Sequence, residues 1–175
     1  MIMATRKSMW LLLSFFIGAG LLLGFAIAAD AETMKCKTVG VTLKYESVPV
    51  DDEEGHILGL QTIEGLSIFE NGEIARTKIK AMIDRLPKSI GFLGIGYFMF
   101  YFDDGSTIVV NFERRGKTDP KGVASTKFTS EITKGTARFA GIKGTISGPG
   151  KNFIIQGEAI KSYNDFTFTY TLPPK

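Results

Sequence analysis

The sequence predicts an all-β protein: a single antiparallel, eight-stranded closed β-barrel that follows an N-terminal signal peptide. Three observations carry this expectation. Beyond residue 34 no segment sustains a helical period, whereas apolar–polar alternation and turn signals recur throughout. About eight strand-like runs follow at fairly even spacing with short links, as in an antiparallel sandwich or an up-and-down barrel. The run Tyr97-Phe98-Met99-Phe100-Tyr101-Phe102 has no polar face, so both of its sides must be covered. A sandwich would need a helix over that strand, and no helical segment is present to supply one. A barrel puts one side in the lumen and leaves the other for a neighbouring subunit or a covering segment, and closure removes exposed edges.

The N-terminus comes first. Arg6 and Lys7 form a basic region, Met9 to Ile27 is an uncharged apolar stretch, and small residues follow. Ala26-Ile27-Ala28 and Ala29-Asp30-Ala31 both fit a cleavage pattern, so residues 1–31 read as a secretory signal and residues 32–175 as the barrel domain. The apolar stretch is close to the minimum for a membrane span, so an uncleaved anchor is the alternative, and the one route to a membrane. No cysteine stands at the cleavage point, which argues against a lipid anchor. The expected location is secreted or periplasmic.

The strands follow in order. Thr38 to Ser47 alternates Val39, Val41, Leu43 and Tyr45 against polar neighbours. Ile57 to Phe69 reads as a strand kinked at Glu64-Gly65. Asn71-Gly72 is a strong hairpin signal, of the kind in which both central residues take positive φ, and Glu73 to Ile83 returns. Pro87-Lys88-Ser89 breaks the pattern. Gly91, Gly94 and Gly96 mark a bend of close backbone approach before the aromatic strand Gly96 to Phe102. Asp103-Asp104-Gly105-Ser106 turns the chain into Thr107 to Arg115, where Thr107, Val109, Asn111 and Glu113 oppose Ile108, Val110 and Phe112. Asn111 and Glu113 are either solvated or directed into the lumen. A polar loop at Asp119-Pro120-Lys121-Gly122 leads to Ala124 to Thr133, and Lys151 to Ser162 and Phe166 to Leu172 close the chain.

Composition excludes several kinds of chemistry. A net charge of +3 with scattered basic residues gives no nucleic-acid footprint. One His and one Cys exclude His/Cys zinc clusters, disulfides within the chain and two-histidine mechanisms. No phosphate-binding loop, dinucleotide fingerprint or zincin motif occurs. His56 ends the run Asp51-Asp52-Glu53-Glu54-Gly55, which is either a solvated loop, a histidine poised by a carboxylate, or a carboxylate calcium site without EF-hand spacing. Cys36 is an unpaired bystander, an intermolecular disulfide or a reactive thiol.

The segment Gly135-Thr136-Ala137-Arg138-Phe139-Ala140-Gly141-Ile142-Lys143-Gly144 describes a tight reversal in which Phe139 plugs apolar space at a barrel end. It resembles the glycine signature of allene oxide cyclases and their dirigent-like relatives. The strand and turn from Tyr97 to Gly105, the final strand Phe166 to Leu172, and Tyr45-Glu46 before an acid-rich loop resemble other family segments in the same order. The resemblance spans most of residues 39–172. It implies an eight-stranded barrel, a homotrimer, no cofactor, and an apolar lumen for lipid- or phenol-derived small molecules.

The same resemblance implies site residues. Glu46 matches the family's first-strand glutamate, the lumen carboxylate of a cyclase that folds a fatty-acid epoxide into a cyclopentenone. Asn71, in Phe69-Glu70-Asn71, resembles the asparagine that helps hold water there, although Asn71-Gly72 is also a turn. Val48 stands where the family has another asparagine, and no residue matches its lumen cysteine. Tyr97, Met99 and Tyr101 are the candidate ligand-binding residues. Three functions stand open: a barrel that binds or guides an apolar small molecule, a cofactor-free isomerase using Glu46, and a structural or interaction barrel with a filled core. A lumen that holds a ligand needs an enclosed void of roughly 300 Å³ or more.

Overall fold

Eight antiparallel strands pair each with its chain neighbour, and the last closes on the first. The computed structural model describes residues 30–86, 91–154 and 158–174. The strands are β1 (Glu32–Pro49), β2 (Ile57–Phe69), β3 (Ile74–Arg85), β4 (Gly91–Phe102), β5 (Thr107–Thr118), β6 (Val123–Thr136), β7 (Lys143–Phe153) and β8 (Lys161–Thr171). Most of the signal segment, Pro87-Lys88-Ser89 and residues 155–157 lie outside the described residues.

Seven strands stand where alternation places them, and one is displaced. Among the described residues the expected strand from Lys151 to Ser162 is not a single element: Lys151–Phe153 end β7, which begins at Lys143, and Lys161 and Ser162 open β8. The three glycines, one proline and one serine of β7 (Lys-Gly-Thr-Ile-Ser-Gly-Pro-Gly) carry little strand propensity of their own. Pairing with β6 on one side and β8 on the other supplies what local preference lacks. The bend expected at Gly91 to Gly96 lies within β4, although the close approach is real: a Cβ on Gly96 would fall 2.0 Å from the Lys80 carbonyl oxygen. The kink expected at Glu64-Gly65 is absent from the pairing of β2, which runs through in register with β3.

Three hairpins share one device. Gly72, Gly105 and Gly122 each have positive φ, and each donates its N–H to the carbonyl three residues back, at Phe69, Phe102 and Asp119. Asn71 does not have positive φ, so the two-residue turn with both centres left-handed is not the one adopted. These three hairpins use instead a tight turn closed by one left-handed glycine.

Phenylalanine fills the barrel. Phe98, Phe100, Phe166 and Phe168 are fully buried, and Phe69, Phe102, Phe112, Phe128 and Phe139 nearly so. Rings from opposite walls meet: Phe98 lies 5.2 Å from Phe166 and Phe100 lies 5.3 Å from Phe168, centroid to centroid. Each such ring contributes roughly 1.5–3 kcal/mol of burial. As expected, Phe139 plugs one end, packed 5.0 Å from Phe102. Arg138 lies over both rings and pairs with Glu73 and Asp104, so one guanidinium ties three loops across that end.

The apolar face of β1 is turned outward, against expectation. Met34, Cys36 and Thr38 are buried, whereas Val39 and Leu43 are exposed. A register shift between Thr42 and Lys44 then inserts one residue. Because side chains alternate, that bulge exchanges inside and outside for the rest of the strand.

Candidate functional site

The residues proposed from the sequence do not converge in the lumen. Without the bulge, Glu46 would share the inward parity of Thr38; with it, Glu46 points outward, its side chain 64% exposed and 2.9 Å from Lys44 Nζ. Asn71 sits at a hairpin tip, where its side-chain oxygen accepts from the Glu73 N–H and its amide donates to the Glu73 carboxylate. Glu46 pairs with Leu60, while Phe69, next to that tip, pairs with Cys36, so the two lie toward opposite ends of the same ladder. The fold therefore does not bring this carboxylate and this asparagine together within the chain. Tyr97, Met99 and Tyr101 occupy the outer side of β4, because Phe98, Phe100 and Phe102 take the lumen. Tyr97 and Glu46 border a broad open groove of about 1000 Å³ lined largely by outward-facing side chains. Asn111 and Glu113 are likewise outside.

Cys36 faces the core, 3.9 Å from the Thr38 hydroxyl, and burial pushes its thiol up to about 12. A thiolate is the reactive form, so this geometry describes an inert side chain rather than a redox or bridging one.

His56 is neither solvated nor free. Its Nδ1 lies 2.6 Å from Asp52 and its Nε2 lies 2.8 Å from Asp84 on β3, so the imidazole clamps the acidic loop to the wall. Hydrogen bonding to Asp84, then to Asp52, raises its pKa, and the same bond lowers that of Asp52. The His56 contribution to stability is complete below the ordinary value of about 6.5 and disappears as pH rises through the raised one. As the sole histidine, its ring proton resonance should titrate above that ordinary value, and Asp84→Asn should bring it down. A wild-type midpoint at or below it would show that the clamp does not form in solution. Among the described residues no group of three or more His, Cys, Asp and Glu side chains is placed to hold a metal ion, the acidic loop included.

Sequence reasoning missed the polar end of the lumen. Opposite the Phe139 plug, a cavity of about 40 Å³ is lined by Tyr45, Gln61, Arg85, Phe92, Arg114 and Asn152 among others. Arg114 is 3% exposed, and its buried Nε has no hydrogen-bond partner among the described residues. Its guanidinium lies 5.4 Å from the Phe112 ring centre and 5.8 Å from that of Phe92. Burial lowers its pKa to about 10, which leaves it positively charged at neutral pH. An unpaired buried charge costs several kcal/mol, and cation–π contact offsets only part of that. Thr126, Ser130, Ser162 and Asn164 are also buried, each with a side-chain hydroxyl or amide lacking a hydrogen-bond partner. The signal was present: extending the parity of Ile108, Val110 and Phe112 by one step places Arg114 on the lumen face, and extending that of Phe166 and Phe168 backward places Asn164 there.

Comparison with known proteins bears on the fold. The pterocarpan synthase dirigent protein GePTS1 superposes with a TM-score of 0.52 at 12% identity, covering 86% of this chain and 95% of that one. The fold is that of the dirigent barrels. The pterocarpan synthase dirigent protein PsPTS1 has a TM-score of 0.48 at 10% identity over 83% of this chain and 97% of its own. A conserved protein of unknown function, RPA1785 from Rhodopseudomonas palustris, has 0.46 at 12% identity over 80% and 98%. No family model and no curated protein matches the sequence. In this dirigent-type barrel the aromatic fill leaves the enclosed space well short of the roughly 300 Å³ a fully engulfed ligand requires.

Proposed function

We propose that this chain is an exported dirigent-type barrel that binds a small organic molecule at the polar mouth of its lumen. The observation that carries the reading is the division of the interior: one end is packed with phenylalanine and sealed by Phe139, and the other holds a cavity with buried polar groups beside aromatic and aliphatic ones. Binding sites combine such apolar walls with a few polar groups that fix orientation. The size of the cavity directs a ligand's head into the mouth and leaves its body against Ile154, Ile160 and Phe92 at the rim. A lipid- or phenol-derived molecule has the apolar body this rim suits.

The reading includes export and self-association. β1 opens at Glu32, so cleavage after Ala28 or after Ala31 spares the barrel. Leu60, Leu66, Ile68, Ile74, Ile95 and Tyr97 leave β2, β3 and β4 with an exposed apolar outer side, which suits contact with further copies of the chain in a homotrimer. Native mass spectrometry of protein purified from its own host tests these together. The expected result is a trimer of chains beginning near residue 29 or 32, carrying a small molecule. A ligand-free protein whose thermal midpoint moves with no lipid or phenolic compound would end the binding reading. Glu46→Gln should leave ligand retention unchanged, since that side chain faces solvent. A second reading, an interaction barrel whose interior only supports its outer wall, is favoured by the aromatic fill and would survive that failure.

A further inference from the structure

The groups without partners in the lumen have one chemistry in common. Arg114 Nε and Asn164 Nδ2 can only donate hydrogen bonds, and the Thr126, Ser130 and Ser162 hydroxyls can each donate one. The side chains of Thr126 and Asn164 converge above Gly150, where an added Cβ would lie 2.7 Å from the threonine Oγ1 and 2.4 Å from the asparagine Oδ1. Asn152 on the next rung of β7 faces Ser162 on β8 and reaches the same cavity as Arg114. None of the described residues that line this cavity is acidic, and Arg85 adds a second positive charge there. Hydroxyl chains elsewhere are closed on themselves: Thr38, Ser67 and Thr77 bond one another at 2.6 and 2.5 Å. Of the open donors, Arg114 lines the mouth cavity itself, Ser162, Thr126 and Asn164 lie on the wall beneath it, and Ser130 borders the outer groove instead.

We infer that the mouth of the barrel is a carboxylate-binding subsite, in which Arg114 receives the acid group of an amphipathic monocarboxylate whose apolar body lies against Phe92, Ile154 and Ile160. This deepens the binding function proposed above and rests on it. A guanidinium offers paired N–H donors that match the two oxygens of a carboxylate, and a low-polarity setting strengthens the contact. One buried guanidinium matches a monoanion, and about 40 Å³ suits a compact planar head better than a hydrated dianion.

Decanoate, decanol and inorganic phosphate serve as probes, with binding followed calorimetrically on the purified wild-type barrel and on Arg114→Gln and Arg114→Met. Decanoate should bind at least about tenfold more tightly than decanol, and either substitution should remove that preference while changing decanol affinity less than about threefold. Two variants guard against one that fails to fold, and retained cooperative unfolding identifies the usable one. Equal binding of decanoate and decanol to the wild type would overturn the carboxylate subsite while leaving small-molecule binding intact. Decanoate preference that survives both substitutions would do the same. Phosphate binding as tight as decanoate would replace it with a general anion site. Failure of every probe, together with ligand-free protein from the host, would count against the binding function itself.

Discussion

Phe98→Ala is expected to lower the free energy of unfolding by about 3–5 kcal/mol. The side chain is fully buried at the centre of the aromatic stack, with Phe112 at 4.9 Å, Phe166 at 5.2 Å and Phe128 at 5.8 Å between ring centres. Those neighbours come from three different strands and cannot all move inward, so most of the vacated volume persists as a cavity. Its chain neighbour supplies the contrast. Tyr97 is 52% exposed on the outer side, and Tyr97→Ala should cost the isolated chain less than about 1 kcal/mol. Urea unfolding followed by far-ultraviolet circular dichroism measures both. Similar losses for the two variants would mean that the lumen is not the packed core described.

Gly65→Ala should be nearly as damaging for a different reason. In the β1–β2 ladder Gly65 faces Gly40, and a Cβ at residue 65 would lie 1.9 Å from the Val39 carbonyl oxygen and 2.6 Å from the Gly40 Cα. Backbone cannot yield there as a flexible side chain would, so the strands must part and give up pairing. A loss of about 3 kcal/mol, or failure to accumulate folded protein, is expected. Gly72→Ala is the control. It has positive φ but nothing within 4 Å of the new methyl, so it should cost only about 1 kcal/mol. Thermal midpoints that rank the two variants equally would remove close strand approach as the explanation.

Alternation and turn chemistry made most of the barrel legible. β2 is found with the bounds expected, and β4 and β8 keep the aromatic rows that alternation assigned them. β7 escaped because its three glycines and Pro149 resemble a loop until two neighbouring strands hold it. The candidate site was far less legible. Resemblance drew attention to Glu46 and Asn71, while the buried polar groups at Arg114 and Asn164 followed from parity that stopped one residue short.

Local order along this chain is a matter of side chains and their nearest neighbours: runs of alternating apolar residues make strands, Asp-Gly and Asn-Gly pairs turn them, and eight such runs invite closure. Which wall a side chain faces is not local in that sense. One inserted residue near Leu43 reverses every assignment downstream in β1, and that insertion is defined only by the pairing of β1 with β2. Whether the lumen is a hollow or a core is also collective, since nine phenylalanines from several strands and the plug meet there only after closure. The lone charge of Arg114 emerged from the same assembly, with no neighbouring strand bringing an acid to its side.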